Sequence, residues 1–233
     1  MKQAYELYIL SCNNINSSIL KTFIQLLSQE RQKKAIKYRH EIDIARTVCG
    51  EMLLRYGLSK RSGSAIPETP LQFTYNPYGK PILPDYPDVS FNISHSGDLV
   101  ACAVSDSDIG IDIEQISLDM DLDIANHYFH EKEIQLINSV TAPESYHYFF
   151  RFWTAKESYL KCIGKGLGEP LNNFYVSEKT ITLENHPTPY LINYYKISDD
   201  YALSVCSPSS YTAPALPVYV SIEDLIVGRI YFP

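Results

Sequence analysis

Ile109-Gly110-Ile111-Asp112-Ile113-Glu114 alternates isoleucine with a glycine and two acids. The period of two in a strand turns Ile109, Ile111 and Ile113 towards a core and sends Asp112 and Glu114 to the opposite face. Two carboxylates projecting in parallel are half of a site for a hard cation. Further along the chain comes Phe152-Trp153-Thr154-Ala155-Lys156-Glu157-Ser158-Tyr159-Leu160-Lys161. Here Phe149, Phe152, Ala155, Tyr159, Cys162 and Ile163 recur at three- and four-residue steps, the pattern of an amphipathic helix whose other stripe carries Thr154, Glu157 and Lys161. Brought together, strand and helix supply three carboxylates and two lysines. Read singly, each segment also has a plainer account: acids on the solvated face of an edge strand, and an ordinary i,i+4 ion pair.

Oxygen ligands in this number suit Mg²⁺, which takes one to three carboxylates and completes its shell with water and substrate phosphate oxygens. A lysine beside them points to an anionic substrate. The whole chain does not share that preference for anions. Its 233 residues carry a formal charge of -7 with no basic run, which argues against nucleic acid as a partner, so any phosphate binding must be local.

Five cysteines, at positions 12, 49, 102, 162 and 206, are odd in number and widely spaced without a CxxC. They read as reduced core residues of a cytoplasmic protein. The opening Met1-Lys2-Gln3 and the short apolar run 5–10 give way at once to polar residues, too soon for a secretory signal, and no apolar run approaches a membrane span. Asn92-Ile93-Ser94 is then a chance sequon.

Apolar periodicity predicts helices over 19–37 and 43–56, the second with Ile44, Val48, Met52 and Leu53 as its buried stripe. Six prolines between 62 and 88 predict an extended loop with one or two short strands. Strands are expected at 89–94, 99–105 and 109–114, the last two joined by the polar turn 106–108, then helices at 124–128, 131–138 and 144–163, then short strands at 174–176, 190–197 and 201–205. The fold class is α+β, with helices packed on antiparallel sheet. Between strand and helices, Ile116, Leu118, Met120, Leu122 and Ile124 alternate with Ser117, Asp119, Asp121 and Asp123, either a buried strand or an apolar docking segment.

Other patterns carry less. Gly164-Lys165-Gly166-Leu167-Gly168 follows a helix, not a strand, and reads as a helix end and turn rather than a nucleotide loop. His127 and His130 have no HExxH or cysteine partner, and read as a solvated pair.

Tyr78-Gly79-Lys80-Pro81 and Phe91-Asn92-Ile93-Ser94-His95-Ser96-Gly97 lie upstream of the two opening segments. In order and spacing the four resemble the signature motifs of the 4'-phosphopantetheinyl transferase superfamily, of its larger, surfactin-synthetase-activating (Sfp-like) type. The pattern there is a G-[IV]-D-[IV]-E strand and a W-[ST]-x-K-E-[AS]-[YF]-x-K helix, and both are met. The resemblance implies transfer of 4'-phosphopantetheine from coenzyme A to a serine of an apo carrier protein, with Mg²⁺, releasing adenosine 3',5'-bisphosphate. It also implies two similar α+β lobes related by a pseudo-twofold axis, 1–110 and 111–233, with the site in the cleft between them and a monomer as the working unit.

In that family the residues at the positions of Arg31, Lys34, Thr47, Ser94 and His95 help hold the 3'-phosphate end of coenzyme A, and Gly79, Lys80 and Pro81 line the adenine. Arg31 stands where a lysine is usual, which keeps the charge and alters the contact geometry. Asp112, Glu114 and Glu157 are then the expected Mg²⁺ ligands, Lys161 the partner of the diphosphate, Glu157 or a metal-held water beside it the base, and Glu133 a residue orienting that water. Two other readings of the acids are a different Mg²⁺-dependent phosphotransferase and a non-catalytic module that binds coenzyme A or carrier protein.

Overall fold

The structure is a computed structural model and describes residues 5–13 and 15–227. The first half runs β1 (Tyr5–Ser11), α1 (Ser17–Leu26), α2 (Gln29–Ala35), α3 (Glu41–Ser62), β2 (Thr74–Tyr75), β3 (Pro81–Ile82), β4 (Ser90–Ser96) and β5 (Leu99–Ser105). The second runs β6 (Gly110–Gln115), α4 (Ile124–Tyr128), α5 (Glu131–Asn138), α6 (Glu144–Ile163), β7 (Phe174–Ser177), β8 (Thr180–Leu183), β9 (His186–Tyr194), β10 (Tyr201–Pro208), β11 (Val218–Tyr219) and α7 (Ile222–Val227).

Two sheets carry the architecture, in strand orders β11-β1-β5-β4 and β6-β10-β9-β8-β7. A long helix lies on each: the stripe of α3 (Val48, Met52, Leu53) packs on Tyr8, Cys102 and Val104 of the first sheet, and Ala155, Tyr159 and Cys162 of α6 pack on Val176, Ile192 and Cys206 of the second. The inner faces share a central core, in which Ile109, Ile111 and Ile113 meet Leu7, Ile9, Ala101, Ala103, Leu203 and Val205. The isoleucines are fully buried there. That burial decides the register of β6, because a slip of one residue would drive Asp112 and Glu114 into hydrocarbon.

The expected 19–37 helix is broken in two. Leu27 is extended, Ser28 caps α2 by accepting from the Arg31 amide, and Gln32 Nε2 donates to the Leu27 carbonyl at 2.8 Å. These local bonds replace a helical turn. The polar turn 106–108 joins the strands on either side of it, but across the sheets: β5 pairs with β1 and β4, whereas β6 pairs with β10. A division at 110/111 does not describe the tail either, since β11 pairs in parallel with β1, and Val220, Ile222 and Leu225 join the first core. Nor is 116–124 a strand. It is a loop leading into α4, in which Ile116, Met120 and Leu122 rest, with Ile124 of α4, on the aromatic cluster of Phe129, Phe149 and Phe152, while Leu118 is exposed.

Gly110 has a steric reason. A Cβ there would overlap the Ser158 carbonyl oxygen and the Cys162 amide, so only glycine lets the backbone of α6 lie directly on β6. That contact brings Glu157 and Lys161 down to the level of Asp112. All five cysteines are buried and unpaired. Among the described residues no helix is long and apolar enough to cross a membrane.

Candidate active site

β6 is the edge of its sheet, and its free side is closed by side chains of β4. Asn92 Oδ1 accepts from the Ile111 amide at 2.8 Å, Ser94 Oγ donates to Asp112 Oδ1 at 2.8 Å, and Ser96 Oγ donates to Glu114 Oε2 at 2.7 Å. The period of two in β4 turns Asn92, Ser94 and Ser96 to β6 and His95 to the other side. The seam between the sheets is therefore stitched by polar side chains, and both acids of β6 lie in it.

Ile93, Ser94, His95, Asp112, Glu114, Trp153, Glu157 and Lys161 line one cavity of about 440 Å³ at this seam. Asp112 is 3% exposed, which rules out a solvated strand face. Lys161 Nζ lies 2.5 Å from Asp112 Oδ1 and donates to Ser94 Oγ at 3.2 Å. Lys161 thus bonds across to β6 and β4 rather than to Glu157 one turn before it. Burial pushes the pKa of Asp112 up, against Lys161 and Ser94. It does the same to Glu114, where Ser96 opposes it and the charges of Asp112 and Glu157 add to it. Glu157 is raised by burial and then by the charge of Asp112. Burial opposes the ionisation of all three, and the charge of Asp112 adds to that for Glu114 and Glu157, so the site is short of positive charge.

The donor set fits a divalent hard cation. Oδ2 of Asp112 is buried without a hydrogen-bond partner, and the remaining donors are carboxylate oxygens. In this conformation, among the described residues, no three acids, histidines or cysteines are gathered closely enough to hold an ion as they stand. Asp112 is instead drawn onto Lys161.

On the other side of β4, His95 faces α3. Its pKa is lowered by burial, then by the charge of Arg46, with Lys161 adding and Asp43 opposing. Arg46 also donates from Nε to the Gly97 carbonyl at 2.7 Å and pairs with Asp43 at 2.9 Å. His95 thus stands in the field of two cations, Arg46 and Lys161. The bond of Arg46 to the β4–β5 turn is what brings this helix position near His95. Thr47 is half-buried on the same helix and Lys34 is exposed on α2, and neither lines the cavity.

Arg31 is engaged elsewhere. Its Nε lies 2.6 Å from Glu51 Oε2, and its guanidinium covers the Phe73 ring at 4.7 Å. Glu51 is shared with the buried Arg55, which also donates to the carbonyls of Leu26, Pro67 and Thr69. This network holds the α1–α2 break and the proline-rich loop onto α3.

Gly79, Lys80 and Pro81 lie in the β2–β3 hairpin and, with Tyr78, Asn92, Leu160, Lys161, Gly164 and Gly166, line a second cavity of about 240 Å³. Lys161 belongs to both cavities, so the two adjoin. The Lys80 ammonium is not directed into either: it donates to the carbonyls of Cys162 at 2.8 Å and Ile109 at 3.2 Å, and Asn76 Nδ2 donates to the Gly164 carbonyl at 2.8 Å. The hairpin of the first lobe thereby caps the C-terminal end of α6.

Glu133 does not reach the site, which corrects its reading as a residue orienting water. It is 1% exposed, and its oxygens are taken by Lys156 Nζ at 2.8 Å and by the amides of His130 at 3.1 Å and Val176 at 2.8 Å. It is the N3 residue of the capping box of α5. Lys156 is fully buried and also donates to the carbonyls of Leu171 and Phe174. This pair is a post joining α5, α6 and β7. The cavity beside Glu133, about 500 Å³, is larger than the one holding the acids and shares no lining residue with it.

Comparison with known proteins shows the family of the chain. Two family profiles match in succession: "4'-phosphopantetheinyl transferase, N-terminal" over residues 15–107 and "4'-phosphopantetheinyl transferase superfamily" over 108–206. The chain is 35% identical over 212 residues to 4'-phosphopantetheinyl transferase Sfp of Bacillus subtilis (strain 168), covering 88% of this chain and 92% of that protein. It is 36% identical over 223 residues to 4'-phosphopantetheinyl transferase gsp of Aneurinibacillus migulanus, covering 94% and 92%. The crystal structure of Thermotoga maritima holo-[acyl-carrier-protein] synthase aligns with 42% of this chain and 60% of its own, at a TM-score of 0.34 and 17% identity. With similarity to named transferases over nearly its whole length, and with all four motifs lining two adjoining cavities, the chain belongs to the 4'-phosphopantetheinyl transferase superfamily.

Proposed function

We propose that the protein transfers the 4'-phosphopantetheine moiety of coenzyme A to a serine of an apo carrier protein and releases adenosine 3',5'-bisphosphate. The observation that carries this reading is the seam cavity. It sets three carboxylates next to Lys161 and is lined also by His95, on which the charge of Arg46 acts from α3. One part suits a diphosphate with its cation and the other a phosphate monoester, the two charged groups of coenzyme A.

The serine oxygen forms a bond to the β-phosphorus as the bond from that phosphorus to the bridging oxygen of the nucleotide breaks. The serine proton passes to Glu157, which lines the cavity, or to a water beside it. Lys161 pairs with diphosphate oxygens from its place over the cavity, and His95 and Arg46 hold the 3'-phosphate. Magnesium, held by Asp112, Glu114 and Glu157, would neutralise the diphosphate and the departing oxygen. Positioning and charge supply most of the acceleration, since phosphoryl transfer asks little covalent chemistry of the protein.

One chain carries every residue of this site, so the working unit is a monomer, and five reduced thiols suit the cytoplasm. The test is incubation with coenzyme A, Mg²⁺ and a panel of apo acyl, peptidyl and aryl carrier domains. A phosphopantetheine mass increment on the carrier serine supports the reading. No increment on any of them overturns it.

Replacing His95 with alanine should weaken coenzyme A binding by about tenfold or more, the scale of a charge-assisted hydrogen bond, and 3'-dephospho-coenzyme A binding much less. Calorimetric titration giving equal losses for the two ligands would remove His95 from the 3'-phosphate.

The carrier is expected to dock on loop 116–124. Because Met120 packs inward, exposed Leu118 is the anchor to test. Leu118→Asp should raise the carrier KM by about tenfold, as loss of one buried aliphatic anchor does, with coenzyme A affinity unchanged. An unaltered carrier KM puts docking elsewhere.

A further inference from the structure

We infer that Ser96 is a positioning residue for Glu114, and that through it the first lobe sets the geometry of the acidic site in the second. The inference rests on the reading of Asp112, Glu114 and Glu157 as the cation-holding set.

Ser96 lies at the end of β4 and makes two bonds into β6. Its Oγ accepts from the Gln115 amide at 3.0 Å and donates to Glu114 Oε2 at 2.7 Å. The first bond decides the direction of the second: with a lone pair held by the Gln115 N–H, the hydroxyl proton is aimed at the carboxylate. Glu114 has three rotatable side-chain bonds, and ordering such a chain opposes ligand binding. A carboxylate already held through Oε2 leaves Oε1 for the cavity it lines.

The turn carrying Ser96 is itself fastened to both lobes. The Gly97 carbonyl accepts from Arg46 Nε of α3 at 2.7 Å, and the Asp98 carbonyl accepts from the Cys12 amide at 2.7 Å. From the second lobe, the Tyr201 hydroxyl accepts from the Asp98 amide at 3.0 Å. Gly97 has a φ of +53°, and a Cβ on it would overlap the Tyr201 hydroxyl and meet Gln115 Oε1 at 2.6 Å. Such close packing leaves Ser96 little room to shift relative to Glu114. Arg46 thereby fastens the Ser96 turn to α3.

The test uses full-length protein, with Mn²⁺ alone as the metal probe read by calorimetry or electron paramagnetic resonance, alongside transfer kinetics and thermal melting. Ser96→Ala should weaken Mn²⁺ binding by about 10- to 100-fold, the scale for residues that orient a metal ligand. At subsaturating Mg²⁺, kcat should fall in step while KM for coenzyme A stays at the wild-type value. Water can serve the exposed Gln115 amide, so the melting temperature should fall by no more than about 4 °C. Ser96→Thr, which keeps the hydroxyl, should restore both Mn²⁺ affinity and kcat.

Unchanged Mn²⁺ affinity and kcat in Ser96→Ala would overturn the inference and leave the proposed function standing. So would a loss that Ser96→Thr does not recover and that tracks a larger fall in melting temperature, because Ser96 would then be structural only. Wild-type protein that binds no Mn²⁺ would overturn both the inference and the cation-holding reading beneath it.

Discussion

Replacing Asp112 with asparagine is expected to cut phosphopantetheine transfer by about 10²-fold or more, the scale on which removing one aligned electrostatic group acts. Asparagine keeps the shape of the side chain and can still accept from Ser94. What disappears is the charge. Asp112 is the most buried of the three acids, and its Oδ2 has no partner in the protein. Its Oδ1 carries both Lys161 and Ser94, so the substitution also frees Lys161 from its counter-charge. Lys161 is 29% exposed and water can replace that contact, so the fold should survive. The measurement is the rate of carrier modification at several Mg²⁺ concentrations, with circular dichroism to verify folding. Wild-type rates at limiting Mg²⁺ would end the assignment of Asp112 to the cation.

The largest stability effect is expected far from the chemistry, at Lys156. Its ammonium is fully buried and donates to Glu133, the Leu171 carbonyl and the Phe174 carbonyl. Burial pulls its pKa down and the Glu133 carboxylate opposes that pull. Lys156→Met leaves a buried carboxylate and two carbonyls without their donor, which costs about 3–5 kcal/mol. For a chain of this length that is a fall in melting temperature of roughly 6–20 °C. The Glu133→Gln, Lys156→Met double variant should be more stable than the sum of the two single losses, because it removes both charges together. A single variant melting within a few degrees of wild type would show that the pair does not hold α5, α6 and β7 together. Glu133→Gln should likewise lower stability rather than act on the chemical step.

Much of this was legible in the chain. The alternation of Ile109, Ile111 and Ile113 with Asp112 and Glu114 is a local pattern, and so is the helical stripe of 149–163; both formed where periodicity put them. The 19–37 segment failed because its apolar spacing says nothing of the side-chain bonds of Ser28 and Gln32 that end a helix at Leu27. Turn 106–108 does join β5 to β6, but the sheets those strands enter were not legible. A short polar connection does not name the partners of each strand, and β10 lies far along the chain from β6.

The site divides in the same way. Spacing alone put Asp112 and Glu114 on one face and Glu157 one turn before Lys161, because a strand and a helix each have a set period. It could not say that Lys161 would bond to Asp112 rather than to Glu157, that Lys156 would be sealed against Glu133, or that Arg31 would be held by Glu51. Each of those choices is made between elements distant in sequence, and burial decides them: a charge removed from water must find a partner among whatever packs against it. The sequence by itself determined which faces carry acids, bases and core, and which family the motifs resemble. Only the tertiary structure decided which of those charged groups remain facing the cavity and which are spent on holding the molecule together.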